Sequence, residues 1–149
     1  MRPEDVPDGP LLVDTDVVSY WLLQGDKEGK ASAFSQLVAG RALAVSFATF
    51  GELLAVGHKR AWGPRRLHDL RSRLRSFVVL PYEVSVVELW AKMHAKLTGH
   101  LHNGGANDMW TAACALAMEP QLPVVTNNLS DFQSIQRIFP ELRVVHPDL

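Results

Sequence analysis

One cysteine, Cys114, stands in 149 residues, so no intrachain disulfide can form and nothing in the chain calls for an oxidising compartment. No apolar stretch is long enough to cross a bilayer. The most apolar segment, Met109 to Met118, is interrupted by Thr111 and falls well short of the roughly 20 residues a spanning helix needs. The leading residues MRPEDVPDGP carry acids and prolines and lack the apolar core of a secretory signal. A cytoplasmic location with no membrane partner is the expectation. Charge of neither sign dominates: 15 Lys and Arg face 16 Asp and Glu, for a formal net charge of -1, so bulk charge singles out no partner. Internal repeats, low-complexity tracts and interior linkers are missing too, which predicts one domain over residues 10–149 behind a loose lead-in at 1–9. A nucleophilic triad is also absent. Cys114 sits within an apolar segment and Ser46 has no evident base.

What the chain does contain is ordinary globular material, 47% hydrophobic, with an uneven charge distribution. Seven of the 15 Lys and Arg fall between Lys59 and Arg75, against the single acid Asp69. A basic segment is therefore set apart from an excess of acids elsewhere, as an enzyme needs if it both holds cations and docks a polyanion. Lys59, Arg60 and Arg65 are the candidates for contact with the phosphates of such a polyanion or with an acidic protein surface. The competing explanation is the solvated face of an amphipathic helix over 64–77, whose Leu67, Leu70, Leu74 and Phe77 share the opposite side.

Periodicity and breakers predict strands at 11–13, 42–47, 77–80, 123–126 and 142–145. Helices are expected at 17–23, 27–38, 49–60, from Pro64, from Ser85, at 108–118 and at 132–139, with Thr49, Ser85 and Asn107 as caps. Gly25 and Gly29 interrupt the early helices, and 99–106, with Gly104-Gly105, reads as a loop. Strands alternating with helices mean βαβ units and a mainly parallel sheet covered on both faces. Strand order does not follow from pattern.

In such a sheet the residue after a strand lies at the carboxyl edge, where α/β proteins bind ligands. Asp14 follows the first strand and Glu52 the second. The helix preceding the fourth strand must begin at that same edge, which places Asp108 there. Asp131 follows the fourth strand, and Asp16 lies beside Asp14. Each acid also has a structural explanation, since acids complement the dipole in a helix's first turn. Asp14 is harder to explain that way, because an acid closing a buried strand loses hydration. Taken together, converging carboxylates repel and stay ionised near neutral pH only with cations between them. Hard oxygen donors select Mg²⁺ or Mn²⁺. Such a site suits phosphodiester hydrolysis, because a bound metal lowers the pKa of its water and needs no side-chain nucleophile.

At these residues the chain resembles the PIN-domain ribonucleases, and among them the VapC toxins of bacterial toxin–antitoxin pairs. The matching segments are LLVDTDVVS (11–19), SFATFGELLAVG (46–57), NDMWTAACAL (107–116) and VVTNNLSDF (124–132), in matching order and spacing. The resemblance implies a three-layer α/β/α sandwich whose five-stranded parallel sheet has the order 3-2-1-4-5. It implies metal-binding acids at Asp14, Glu52 and Asp108, a more variable fourth at Asp131, and polar support from Thr15, Thr126 and Asn128. It implies further a structured RNA substrate such as tRNA or ribosomal RNA, a homodimer, and a silencing antitoxin whose tail enters the groove.

The chain departs from the pattern where it carries Asp16 in place of the commoner Asn, where Gly57 falls one residue late, and in its long lead-in. His100 and His102 lack the third soft ligand a zinc site needs. Trp90 and Trp110 read as core or dimer contacts. Two other functions compete: a PIN scaffold without activity that binds RNA or protein, and a haloacid-dehalogenase-type phosphatase with Asp14 as nucleophile. The phosphatase requires a late lysine, yet the chain has none after Lys96.

Overall fold

Leu11, Leu12 and Val13 are fully buried and form the middle strand of the sheet in a computed structural model of the chain. The structure describes residues 1–24, 29–97, 99–101 and 106–149, the side chain of Ala106 excepted. The strands are β1 (Leu11–Val13), β2 (Leu43–Ser46), β3 (Val78–Leu80), β4 (Val124–Val125) and β5 (Val144–Val145). Among the described residues seven α-helices accompany them: α1 (Thr15–Ser19), α2 (Lys30–Val38), α3 (Phe47–Lys59), α4 (Pro64–Leu74), α5 (Val84–Leu97), α6 (Ala106–Ala117) and α7 (Leu129–Ile138). All strand pairs are parallel, in the order β3-β2-β1-β4-β5. Leu12 lies opposite Ala44 on one side and Val124 on the other.

The strands read as unbroken apolar runs because both faces of the sheet are covered. Successive side chains alternate between the faces. Leu12, Ala44, Val124 and Val144 pack with Met93, Met109, Ala112 and Phe132 from α5, α6 and α7. Leu11, Val13, Val45 and Val145 turn to the other face and pack with Val17, Phe34, Leu53 and Leu70 from α1 to α4. The expected α/β/α sandwich is therefore present.

Several helix starts differ from expectation. Ser46, not Thr49, caps α3, because its Oγ accepts the Thr49 N–H at 3.1 Å. The helix thus opens at Phe47, and Glu52 falls beyond the first turn. Asp14 caps α1, its Oδ1 accepting the Thr15 N–H at 2.9 Å, and a π-helical turn over Tyr20–Gln24 continues it. Ser85 lies inside α5 rather than capping it, since the Glu83 carbonyl already accepts the Val87 N–H. Asn107 likewise lies inside α6. The expected helix start at Lys27, Gly25, and the Gly104-Gly105 loop with His102 lie outside the described residues.

The lead-in is tied down rather than loose. Arg41 donates from its guanidinium to the carbonyls of Val6 (3.1 Å), Pro7 (2.6 Å) and Gly9 (3.3 Å), and the Met1 amine donates to the Val144 carbonyl at 2.8 Å. One planar cation satisfies carbonyls that the irregular segment cannot pair itself. Arg41→Ala is expected to expose the first residues to limited proteolysis while lowering global stability by only about 1 kcal/mol. Unchanged cleavage kinetics would contradict this anchoring.

Candidate active site

The ends of β1 and β4 deliver polar residues to the carboxyl edge. Asp14 follows β1 and is 2% exposed. Its Oδ2 accepts the Thr126 hydroxyl at 2.8 Å, and its Oδ1 accepts the Thr15 N–H together with a long contact, 3.5 Å, from the Thr111 hydroxyl. Asp16, in the first turn of α1, accepts the Val17 N–H on Oδ1 at 2.7 Å and the Asn127 N–H on Oδ2 at 3.1 Å. The side-chain amide of Asn128 donates to Asp108 at 2.8 Å and to Asp131 at 3.0 Å. Thr126 also accepts the Asn128 N–H at 3.0 Å. Three successive residues after β4 therefore hold four aspartates that come from three other segments.

Glu52 stands apart from this network. It occupies α3 one turn beyond Thr49, whose hydroxyl meets that of Thr15 at 2.8 Å. Its Oε2 is buried and has no hydrogen-bond partner. An orphaned carboxylate oxygen normally costs a few kcal/mol, so its persistence needs a cause.

The electrostatics show what this crowding does. Burial pushes the Asp14 carboxyl well above its ordinary range, and the charges of Asp16 and Asp108 push it further, against the hydrogen bonds from Thr126 and Thr15. Burial also dominates at Asp108, which rises to about 7 with help from its hydrogen bond to Asp131 and the charges of Asp131 and Asp16. Asp16 rises to about 6, again through burial, moderated by the Val17 and Asn127 N–H groups and by Lys30. Among the described residues no three His, Cys, Asp or Glu side chains are arranged to hold an ion as they stand. Protein donors set the spacing of the aspartates, so closing on a cation requires their side chains to rearrange. The donor set still fits a hard divalent cation: every candidate ligand is a carboxylate oxygen, and the unpartnered Glu52 Oε2 has no other use.

The basic candidates are not brought to this edge. Lys59 lies seven residues beyond Glu52 on α3, roughly 10 Å along the helix axis. Lys59, Arg60 and Arg65 are exposed there, and the Arg60 guanidinium lies 6.0 Å from the centre of the Trp62 ring. Arg66, not singled out by the sequence, lies closer over the same ring at 3.9 Å. His100 is exposed. Trp90 and Trp110 stack at 4.7 Å and pack against the core, as expected.

Sequence reasoning missed Thr111, Asn127 and Thr49. Thr111 carried a signal, because it is the one polar break in the apolar segment of α6 and lies one turn after Asp108. Asn127 carried none beyond its neighbour, since it acts through its main chain.

The PIN domain family model matches residues 11–137. The chain belongs to the PIN domain family. The same architecture recurs in solved complexes. VapBC from Salmonella typhimurium, solved bound to DNA, superposes with a TM-score of 0.69 at 22% identity, over 94% of this chain and 99% of that one. VapBC-1 from nontypeable Haemophilus influenzae gives 0.69 at 21% identity, over 94% and 99%. A toxin–antitoxin complex from Klebsiella pneumoniae gives 0.67 at 20% identity, over 92% and 97%. At these identities the likeness is one of fold. No curated protein sequence matches the chain.

The crowded acids of this PIN domain make a stability prediction. Asp108 is protonated more readily in the folded chain, at about 7, than at its ordinary value of 3.8. Its contribution to stability is full below pH 3.8 and is lost as pH rises through about 7. Asp108→Asn in metal-free protein is therefore expected to raise the melting temperature at pH 8 by roughly 3 °C, on the order of 1 kcal/mol, with a smaller gain at pH 5 and little below pH 3.8. A variant that melts lower than wild type at pH 8 would contradict the repulsion.

Proposed function

We propose that this PIN domain is a divalent-metal-dependent endoribonuclease that serves as the toxin of a VapBC-type toxin–antitoxin pair. The observation that carries the reading is the gathering of Asp14, Asp16, Asp108 and Asp131 around the turn after β4 at the carboxyl edge, together with the partnerless Glu52 Oε2 on α3. Asp14, Glu52 and Asp108 are the central ligands in this reading, with Asp131 and Asp16 joining them. A bound Mg²⁺ or Mn²⁺ supplies charge neutralisation and a water acidic enough to attack phosphorus.

The chain's own residues prepare that chemistry. Thr126 fixes the Asp14 carboxylate by donating to its Oδ2, and Asn128 spans Asp108 and Asp131 with one amide. Thr15 joins the first segment to α3 through Thr49, one turn before Glu52. Neither Cys114 nor Ser46 supplies a competing nucleophile. The Cys114 thiol is buried in α6 and pushed up to about 12 by that burial and by the Glu83 charge, and Ser46 is committed to capping α3.

The partners follow from the same reading. RNA, of the structured tRNA or ribosomal class, is the substrate, and an antitoxin protein is the regulator, as the solved toxin–antitoxin complexes of this fold support. Lys59, Arg60 and Arg65 would meet RNA phosphates or antitoxin acids away from the chemical centre. A homodimer is supported by the apolar corner where Val78, Tyr82 and Val84 are 60%, 63% and 76% exposed. A cytoplasmic location accords with such a substrate, and among the described residues no helix is long and apolar enough to cross a membrane.

The test uses labelled RNA and purified protein. Cleavage with Mn²⁺ is expected, with loss on adding EDTA and a fall on the order of 100-fold or more in Asp14→Asn and Glu52→Gln. Cleavage that survives chelation would refute the metal mechanism, and a folded wild-type chain that cuts no RNA would leave only a binding scaffold. Induction in a bacterial host should arrest growth for wild type and not for Asp14→Asn; equal growth would refute the toxin role while sparing the nuclease.

A further inference from the structure

Asn127 sits at the centre of the turn that holds the aspartates, and its own side chain is held from outside the site. β5 pairs with β4 so that Val145 lies opposite Val125. That register brings His146, buried just after β5, beside the turn that begins at Thr126. The His146 Nδ1 accepts the Asp148 main-chain N–H at 3.0 Å. A nitrogen that accepts carries no proton, so in the neutral ring the proton is on Nε2. Nε2 lies 3.2 Å from the Asn127 Oδ1 and donates to it. The Asn127 amide is thereby fixed in one orientation, and its Nδ2 donates to the Tyr20 hydroxyl at 3.0 Å.

Both anchors rest on one buried ring. Phe34, 2% exposed, meets His146 edge-on with centroids 5.5 Å apart and stacks with Tyr20 at 6.2 Å. The anchors come from β5 and from the turn after α1, whereas the groups they steady face the acids. The Asn127 main chain then donates to Asp16, and its neighbours donate to Asp14, Asp108 and Asp131.

We infer that His146 and Tyr20 are positioning residues that clamp Asn127, so that the turn after β4 sets the aspartates for a divalent cation. The inference rests on the proposed metal site but adds residues outside it. Groups that orient metal ligands at one remove typically change metal affinity by about 10- to 100-fold when removed.

Calorimetric titration of the full chain with Mn²⁺ tests this. His146→Phe keeps the ring against Phe34 and removes both nitrogens; it is expected to weaken Mn²⁺ binding roughly tenfold. His146→Gln, which restores a donor near the Nε2 position, is expected to recover affinity to within about threefold of wild type. Asn127→Ala should weaken binding as His146→Phe does, and the double variant should be no weaker than Asn127→Ala alone, because the residues act in series. Tyr20→Phe removes one hydroxyl and should cost about threefold; it carries the test if His146→Phe does not fold. Wild-type Mn²⁺ affinity in His146→Phe, or in Tyr20→Phe where that variant carries the test, overturns the clamp. Additive losses in the double variant, or a glutamine no better than phenylalanine, overturn it too. Normal RNA cleavage with unaltered Mn²⁺ affinity in the variants would sink the clamp and leave the nuclease standing. The predicted affinity losses in a chain that cuts no RNA would do the reverse. A wild-type chain that binds no Mn²⁺ would sink both.

Discussion

Burial of several carboxylates at one sheet edge, sharpened by their mutual repulsion, is the constraint that the site must meet. Asp14 is almost wholly removed from water, and Asp16 and Asp108 both act on it. Leaving such groups uncompensated would cost more than a domain of this size can bear. The compensation comes from the short turn after β4, where a hydroxyl, a main-chain N–H and a side-chain amide are each directed at a different acid. Only partial relief results, since Asp108 still rises to about 7 and Asp16 to about 6. A cation between the acids would complete it, and that is why strain at this edge points to function.

Topology explains why the acids meet here. β1 and β4 are neighbours, and the chain leaves β1 toward β2 on one side and β4 toward β5 on the other. Connections that diverge from neighbouring parallel strands open a crevice at their carboxyl ends. The apolar faces of β1 pack rigidly against helices on both sides, which holds the start of that crevice in place. The arginine-rich segment lies at the far end of α3 and takes no part in this arrangement. Its ring contacts, Arg60 and Arg66 over Trp62, make it a surface of its own.

Much of this was legible in the chain. An acid that ends a run such as Leu11-Leu12-Val13 marks the carboxyl edge directly, and the alternation of strands and helices implies that edges are shared. The order of strands was implied by the resemblance alone, because pairing between distant segments leaves no local periodicity. Helix starts were off by a few residues for a specific reason: Ser46 and Thr49 are both hydroxyl residues three apart, and either could have been the cap. Glu52 was found as an acid, but its isolation from the aspartate network was not. Asn127 and His146 were invisible, because one acts through its main chain and the other through the β4–β5 register. Their roles exist only once the sheet is assembled.

In the proposed site Asp14, Glu52 and Asp108 surround a divalent cation. Anomalous diffraction from crystals soaked in Mn²⁺ would locate that cation. A peak is expected bounded by carboxylate oxygens of Asp14 and Asp108, with the Glu52 side chain facing it, directly or through one water. Well-ordered acids with no peak between them, or Mn²⁺ bound only elsewhere on the chain, would contradict that site.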